Sequence, residues 1–251
     1  MQLPPEYKEQ KKTLNQNGDY VMTLMQLVKP SGAIAAVALL GFAGMSITSR
    51  RVHADSSETD SVVQIGLRIA PVKLNLNGKD PGLVGKGSYI VNAQGLCDEC
   101  HASPDLGGFY SPDGNPFFGQ PKIINPKGYL GGGGDFGLRP GIGSPHIFAR
   151  NLTPDITGRP EGGATFQEFL TILRTGKDFD HLHPTCPSLS ASGQCLSPPL
   201  EGDLLQVMPW PIYGSMSDDD IRAIYEYLSA IPCISHAGTP GLPANIYHTC
   251  P

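Results

Sequence analysis

Residues 94–104 read Gln94-Gly95-Leu96-Cys97-Asp98-Glu99-Cys100-His101-Ala102-Ser103-Pro104, and the five residues Cys97–His101 decide how the rest of the chain is read. The pattern is C-x-x-C-H: two thiols three positions apart, with an imidazole directly after the second. Thiols at this spacing can each form a thioether with one vinyl group of a single haem, and the histidine is then held under the iron as proximal ligand. The pattern has three other uses. A zinc site needs two further ligands at suitable spacing, and His181 and His183 lie 80 residues or more beyond the motif without a second cysteine pair. A redox dithiol expects a strand–helix–strand context, and no such alternation is visible. A structural disulfide is the third. Haem attachment fits best, and with no internal repeat and no second C-x-x-C-H the expectation is one covalently bound haem c.

The other axial ligand must come from elsewhere in the chain. After Ala54 there are two methionines, Met208 and Met216. A thioether is soft and neutral, stabilises reduced iron and raises the potential, as suits an electron carrier. Met208 is the preferred ligand because it ends a Pro- and Gly-rich loop, in Val207-Met208-Pro209-Trp210, whereas Met216 directly precedes a helix start. Both could equally fill a core. His146, His181, His183, His236 and His248 are the alternatives for a bis-histidine site.

Composition frames this site. The chain has 251 residues, with 31 Gly and 24 Pro and only 16% charged residues. That much Gly and Pro excludes a simple helical bundle or coiled coil, and 39% hydrophobic residues argue against both disorder and a polytopic membrane protein. The net charge is −5, with nothing that suggests nucleic-acid binding.

The first 54 residues differ from the rest. Residues 30–49 carry no charge, follow Lys29, and precede the small-x-small sequence Val52-His53-Ala54. This reads as a secretory signal over residues 1–54 with cleavage after Ala54; twenty uncharged residues would also just suffice for a membrane anchor. The polar stretch before Lys29 is long for a signal, and Met22 or Met25 would each give a more ordinary start. Without residues 1–54 the chain has 12 Lys+Arg and 20 Asp+Glu, a net charge of −8. An acidic surface favours a partner with a positive docking face.

Three helices are expected. Leu83, Gly87, Ile90, Val91 and Gln94 fall near one helical face leading into the cysteine motif. Thr165-Phe166-Gln167-Glu168 is a capping box, followed by Phe169, Leu170 and Leu173, with Gly176 as the stop. Ser217 caps the last helix, Asp218, Asp219 and Asp220 suit its positive end, Ile221, Ile224, Tyr225, Leu228 and Ile231 form its buried stripe, and Pro232 ends it. Long irregular segments, about 103–163 and 177–211, separate these helices, and residues 55–80 are expected to be an extended arm.

These pieces in this order resemble the monohaem class I cytochrome c family. The resemblance rests on Gly87-x-Tyr89 before Cys97-x-x-Cys100-His101, on Ala149-Arg150-Asn151-Leu152-Thr153-Pro154-Asp155 with Thr157-Gly158, on Phe169 and Arg174-Thr175-Gly176, and on Met208-Pro209-Trp210 with Met216-Ser217-Asp218. It runs from about residue 82 to 232 and is similar to the cytochrome c domains that accept electrons from periplasmic dehydrogenases. It implies a mainly α, cytochrome c-like fold with long irregular loops around one haem. It implies Met208 as distal ligand, Arg150 and Asn151 as haem-propionate or loop contacts, and Trp210 against the haem edge.

Two departures from the family stand out: the loop from Cys186 to Cys195 and the Pro-rich tail 233–251 after the cytochrome domain 81–232. They hold the four remaining cysteines, which an oxidising compartment would pair. Of three pairings the local one is expected, Cys186 with Cys195 and Cys233 with Cys250, each stabilising by roughly 2–3 kcal/mol. The expected function is single-electron transfer through Fe(III)/Fe(II) cycling, between a periplasmic dehydrogenase and an oxidase or cytochrome acceptor, without turnover of a substrate. The alternative is a haem enzyme or gas sensor with an open distal site.

Overall fold

Helices form in this chain where polar caps and glycine stops bracket an apolar stripe. The computed structural model describes residues 54–136, 146–188, 195–236, 241–242 and 246–251. The uncharged run 30–49 lies outside them. Among the described residues the helical segments are α1 (Ala54–Ile69), α2 (Pro81–Tyr89), α3 (Cys97–His101), α4 (Pro160–Gly163), α5 (Phe166–Thr175), α6 (Trp210–Tyr213) and α7 (Asp218–Leu228). Extended chain pairs only at isolated bridges there, such as Tyr110 with Ile124 and Lys177 with Leu204. The fold is mainly helical.

The three expected helices form, with the expected caps on α5 and at the start of α7, while α7 ends at Leu228, before the expected stop at Pro232. Asp80 accepts the Gly82 N–H at 2.7 Å and Pro81 opens α2. Thr165 and Glu168 close a reciprocal capping box on α5, and Gly176 ends that helix at φ 70°. Ser217 accepts the Asp220 N–H at 3.1 Å to start α7. Each cap satisfies backbone donors that a helix end leaves free, for about 1 kcal/mol.

Segment 55–80 differs from the extended arm expected of it, because α1 occupies it as far as Ile69. The cause is tertiary. Gly66 lies so close to α2 that a Cβ there would sit 1.8 Å from the Gly85 carbonyl oxygen, and Ser88 donates to the Gly66 carbonyl at 2.7 Å. Its sequence lacks a strong apolar stripe, and α2 supplies the surface that stabilises it.

α2 then crosses α7 at a second glycine. A Cβ on Gly87 would lie 1.9 Å from the Ala223 carbonyl oxygen, so the two backbones touch. Lys86 and Asp220 pair beside the crossing at 2.7 Å. Around it packs the core, with Val84, Ile90, Val91, Phe169, Leu173, Ile221 and Leu228 all buried. Asn92, Tyr129 and Tyr227 hydrogen-bond to one another inside it, tying the turn after α2 to α7 with their polar atoms satisfied.

Both expected disulfides are present, Cys186–Cys195 and Cys233–Cys250, with Cα atoms 5.0 and 5.6 Å apart. Cys97 and Cys100 are unpaired. The tail returns to the body: Asn151 donates to the Ile234 carbonyl at 2.7 Å and to that of Ile246 at 3.2 Å, and the Ile234 N–H reaches Thr153 Oγ1 at 3.0 Å. Among the described residues no helix is long and apolar enough to cross a membrane.

The Gly87–Ala223 contact predicts that Gly87→Val, which forces two helix backbones apart, costs about 3 kcal/mol or more. Urea unfolding should show the midpoint drop, while Gly78→Ala, in open space, should cost about 1 kcal/mol through its positive φ alone.

Candidate functional site

α2 passes into a π-helical turn, Ile90–Gln94, and the chain then reverses through Leu96, whose φ of 51° lies in the left-handed region. This delivers Cys97–His101 as a single helical turn. The turn is fixed from both sides: Asp98 accepts the Leu130 N–H at 2.8 Å, and Tyr213 donates from α6 to the Gly95 carbonyl at 2.6 Å.

Cys97, Cys100 and His101 line a cavity of about 580 Å³, within the range of small-molecule and cofactor sites. Its walls are mostly apolar, with Ile90, Val91, Phe148, Leu152, Phe169, Ile172 and Ile224 among them. Met208 lies on the wall, and so does Met216. Val207, just before Met208, sits at φ 68°. A β-branched residue there is a genuine outlier, and such strain concentrates at functional positions. Of the five alternative histidines, His183 lines this cavity. His146 and His181 pair with Asp135 and Asp203, and His236 and His248 are buried where the tail packs.

The imidazole of His101 is oriented by a single bond. Its Nδ1 lies 2.7 Å from the Arg150 carbonyl oxygen. A carbonyl can only accept, so Nδ1 carries the proton and donates it, which leaves the Nε2 lone pair free to bind a metal. Burial, with the nearby Arg150 charge, lowers the pKa of this histidine and favours the neutral ring.

A glycine run makes that bond feasible. Gly132 donates to the His101 carbonyl at 2.7 Å, and Gly133 to the Ala149 carbonyl at 2.9 Å. A Cβ on Gly132, at φ 73°, would meet Arg150 C at 2.5 Å. Residues 131–134 thus thread between α3 and the loop that carries Arg150. The Arg150 side chain turns away into ion pairs with Asp178 and Asp180, with Glu161 at 4.0 Å. Arg150 lines the cavity, and so do Asp178 and Glu161.

Asn151 and Trp210 lie elsewhere. Asn151 is almost wholly buried in the joint with the tail, and its Oδ1 accepts from Thr153 N–H at 3.0 Å and Oγ1 at 2.7 Å. The Trp210 ring lies on the α carbon of Gly176, where a Cβ would be 2.2 Å from the indole, and its Nε1 donates to the Leu205 carbonyl at 3.2 Å.

Two buried carboxyls escaped the reading of the sequence. Asp98 and Glu161 each keep one oxygen without a hydrogen bond, and burial pushes both up to about 7. Asp98 could have been suspected from its place inside the cysteine motif. Glu161 gives no local signal, since its φ of 51° and its Arg150 neighbour are properties of the folded loop.

The donor set tests the site chemically. Burial raises Cys97 to about 12 and raises Cys100 as well. Both thiols therefore hold their protons in the folded chain, unlike the lowered-pKa thiols of reactive dithiols. Among the described residues no group of three or more His, Cys, Asp or Glu could hold a metal ion. Two protonated thiols, one neutral imidazole with a free Nε2 and a methionine around an apolar cavity fit a haem c.

No family model and no solved structure matches the chain. It is 26% identical over 153 residues to the cytochrome c subunit of the quinone alcohol dehydrogenase of Gluconobacter oxydans (strain 621H). That stretch covers 59% of this chain and 21% of the relative, so the chain matches about a fifth of the relative's length. The likeness is distant, and it is to a cytochrome c subunit.

Glu161 gives a pH prediction. Unfolded, its carboxyl titrates near 4.5; folded, it holds its proton to about 7. The folded state therefore binds more protons between these values, and its contribution to stability is full below about 4.5 and lost as pH rises through 7. Urea unfolding of Glu161→Gln should show a smaller loss between pH 5 and pH 8 than wild type. Gly132→Ala should cost about 2 kcal/mol or more at either pH.

Proposed function

We propose that this chain is an exported c-type cytochrome that carries single electrons. The observation that carries the reading is the Nδ1 bond of His101 to the Arg150 carbonyl beside Cys97 and Cys100. It prepares a neutral imidazole as axial ligand in the one motif whose spacing suits covalent haem. The distant likeness to a cytochrome c subunit supports the same reading.

In this reading Cys97 and Cys100 would hold the haem through thioethers. His101 Nε2 and the Met208 sulfur, both on the cavity wall, would hold its iron. The group would supply a one-electron Fe(III)/Fe(II) couple. The chain's own part is to exclude water with apolar walls and to keep both ligands neutral, which favours the reduced state. Leu96 and Ile212, 61% and 72% exposed, lie on the cavity wall and form an apolar rim where a redox partner can approach. The relative belongs to a quinone alcohol dehydrogenase, and we place this chain likewise next to a dehydrogenase as donor, with an oxidase or another cytochrome as acceptor. The four paired cysteines agree with a periplasmic location.

Haem staining on a denaturing gel tests covalent attachment, and Cys97→Ala with Cys100→Ala should abolish it. The spectrum of the oxidised protein then tests the ligands. Wild type should be low-spin with a methionine–iron band; Met208→Leu should lose the band and bind added imidazole or cyanide. A high-spin wild type would mean an open distal site, as in a haem enzyme or gas sensor, and Met216→Leu in place of Met208→Leu as the disruptive change would move the ligand to Met216.

A further inference from the structure

The wall of the cavity around Cys97–His101 holds a carboxyl that the electron-carrier reading leaves unused. Beside that cavity lies a second one of about 400 Å³, and Glu161 and Arg150 line both. Lys177, Phe179 and Asp180 line the second cavity and are exposed, so it opens to solvent. Glu161 therefore stands between the surroundings of the cysteine motif on one side and water on the other.

The fold keeps Glu161 in this wall against two local penalties. Its side chain is only 7% exposed, yet its Oε2 has no hydrogen-bond partner, and Arg150 Nε stands 4.0 Å from Oε1, too far to donate. A buried acceptor left unmatched is costly. The backbone adds strain, since Glu161 at φ 51° and ψ 55° shares a left-handed run with Gly162 and Gly163, where a glycine would sit more easily. Penalties of this kind gather at functional positions.

The charges around Glu161 favour its neutral form. Arg150 brings one positive charge to three carboxyls, those of Asp178, Asp180 and Glu161, and its guanidinium is taken up by the two aspartates. The other titratable groups facing it are Glu168 from α5, Lys177 from the segment after α5, and Tyr247 and His248 from the tail. Glu99, His101 and His183 line the motif side. Burial pushes the Glu161 carboxyl up to about 7. Burial also lowers His183 and His248, so both rings are neutral in that range.

One residue joins this carboxyl to the site. The Arg150 carbonyl receives the His101 Nδ1 proton at 2.7 Å, while the Arg150 side chain faces Glu161. A charge on Glu161 and a charge in the motif cavity therefore act on each other across buried protein, where the interaction is stronger than in water. An anionic Glu161 favours the extra positive charge of the oxidised couple, and by linkage the oxidised couple favours the anion.

We propose that Glu161 couples proton transfer to electron transfer, releasing its proton into the solvent-side cavity when the site gives up an electron and taking one back when the site is reduced. The balance is one electron to the acceptor and one proton to water, with both returned on reduction, so the charge inside the protein stays constant. The inference rests on the electron-carrier reading and adds a proton to the electron carried.

The test uses the full-length, haem-loaded protein and measures its midpoint potential at a series of pH values on both sides of neutrality. The wild-type potential should fall as pH rises through about 7. The whole fall should be on the order of 59 mV, the equivalent of a tenfold difference in Glu161 acidity between the two redox states. Glu161→Gln keeps the size of the side chain and removes the proton, and its potential should stay level. Infrared difference spectra of wild type near pH 7 should show a protonated-carboxyl C=O band lost on oxidation, an observation that needs no variant. A level wild-type potential, a fall that survives Glu161→Gln and so belongs to another group such as Asp98, or an infrared difference without that band overturns the proposal. Protein without covalent haem overturns the electron-carrier reading and this inference with it; haem-bearing protein with a level potential overturns this inference alone.

Discussion

The contact between Gly87 and the Ala223 carbonyl is the constraint on which the rest of the molecule depends. Two helices can lie backbone on backbone only where one of them has no side chain. That approach sets α2 against α7 and aims the π-helical turn after α2 at the cavity. Lys86–Asp220 and the Asn92–Tyr129–Tyr227 group then fix the rotation of the pair. Phe166 and Phe169 of α5 pack edge-on against Tyr225 of α7, which brings the third wall into place. α1 repeats the device two residues earlier on α2, with Gly66 against Gly85.

The site has a comparable hierarchy. His101 is aimed by a carbonyl, that carbonyl belongs to the Arg150–Asn151 loop, and the loop is held by layers on two sides. Gly132 lies against its backbone, and the tail caps Asn151 and Thr153 from beyond. The Arg150 side chain spans to Asp178 and Asp180 and so joins this loop to the one after α5. Irregular chain is held in register by side-chain and backbone bonds that a helix or sheet would supply through its own ladder. This explains how a protein with so much glycine and proline can present a fixed site.

Much of this was legible in the sequence, for reasons that can be named. Caps and stops are local, so Thr165–Glu168, Gly176 and Ser217 could be read directly. The disulfides join cysteines 9 and 17 residues apart, so proximity in sequence sufficed. α1 was not legible, because what stabilises it is a glycine in another helix. The cavity wall was legible in part: the cysteine motif announces itself, but Met208, Met216 and His183 all reach the wall, and their order along the chain cannot rank them. The resemblance implied Trp210 at the haem edge and Asn151 as a propionate or loop contact; the fold packs Trp210 on Gly176 and bonds Asn151 within its loop and to the tail.

The six cysteines show a sorting of sulfur by distance and by depth. Four sit beside their partners in sequence and are oxidised; two lie more than 80 residues away from the nearest of the four, one of them with its thiol held protonated by burial. A thiol attacks a disulfide only as thiolate, so Cys97 is a poor trespasser on the bridges of its own chain. The two bridges close loops of 9 and 17 residues, far shorter than any loop that would join one of their cysteines to the motif, so chain entropy favours both over a bridge to Cys97 or Cys100.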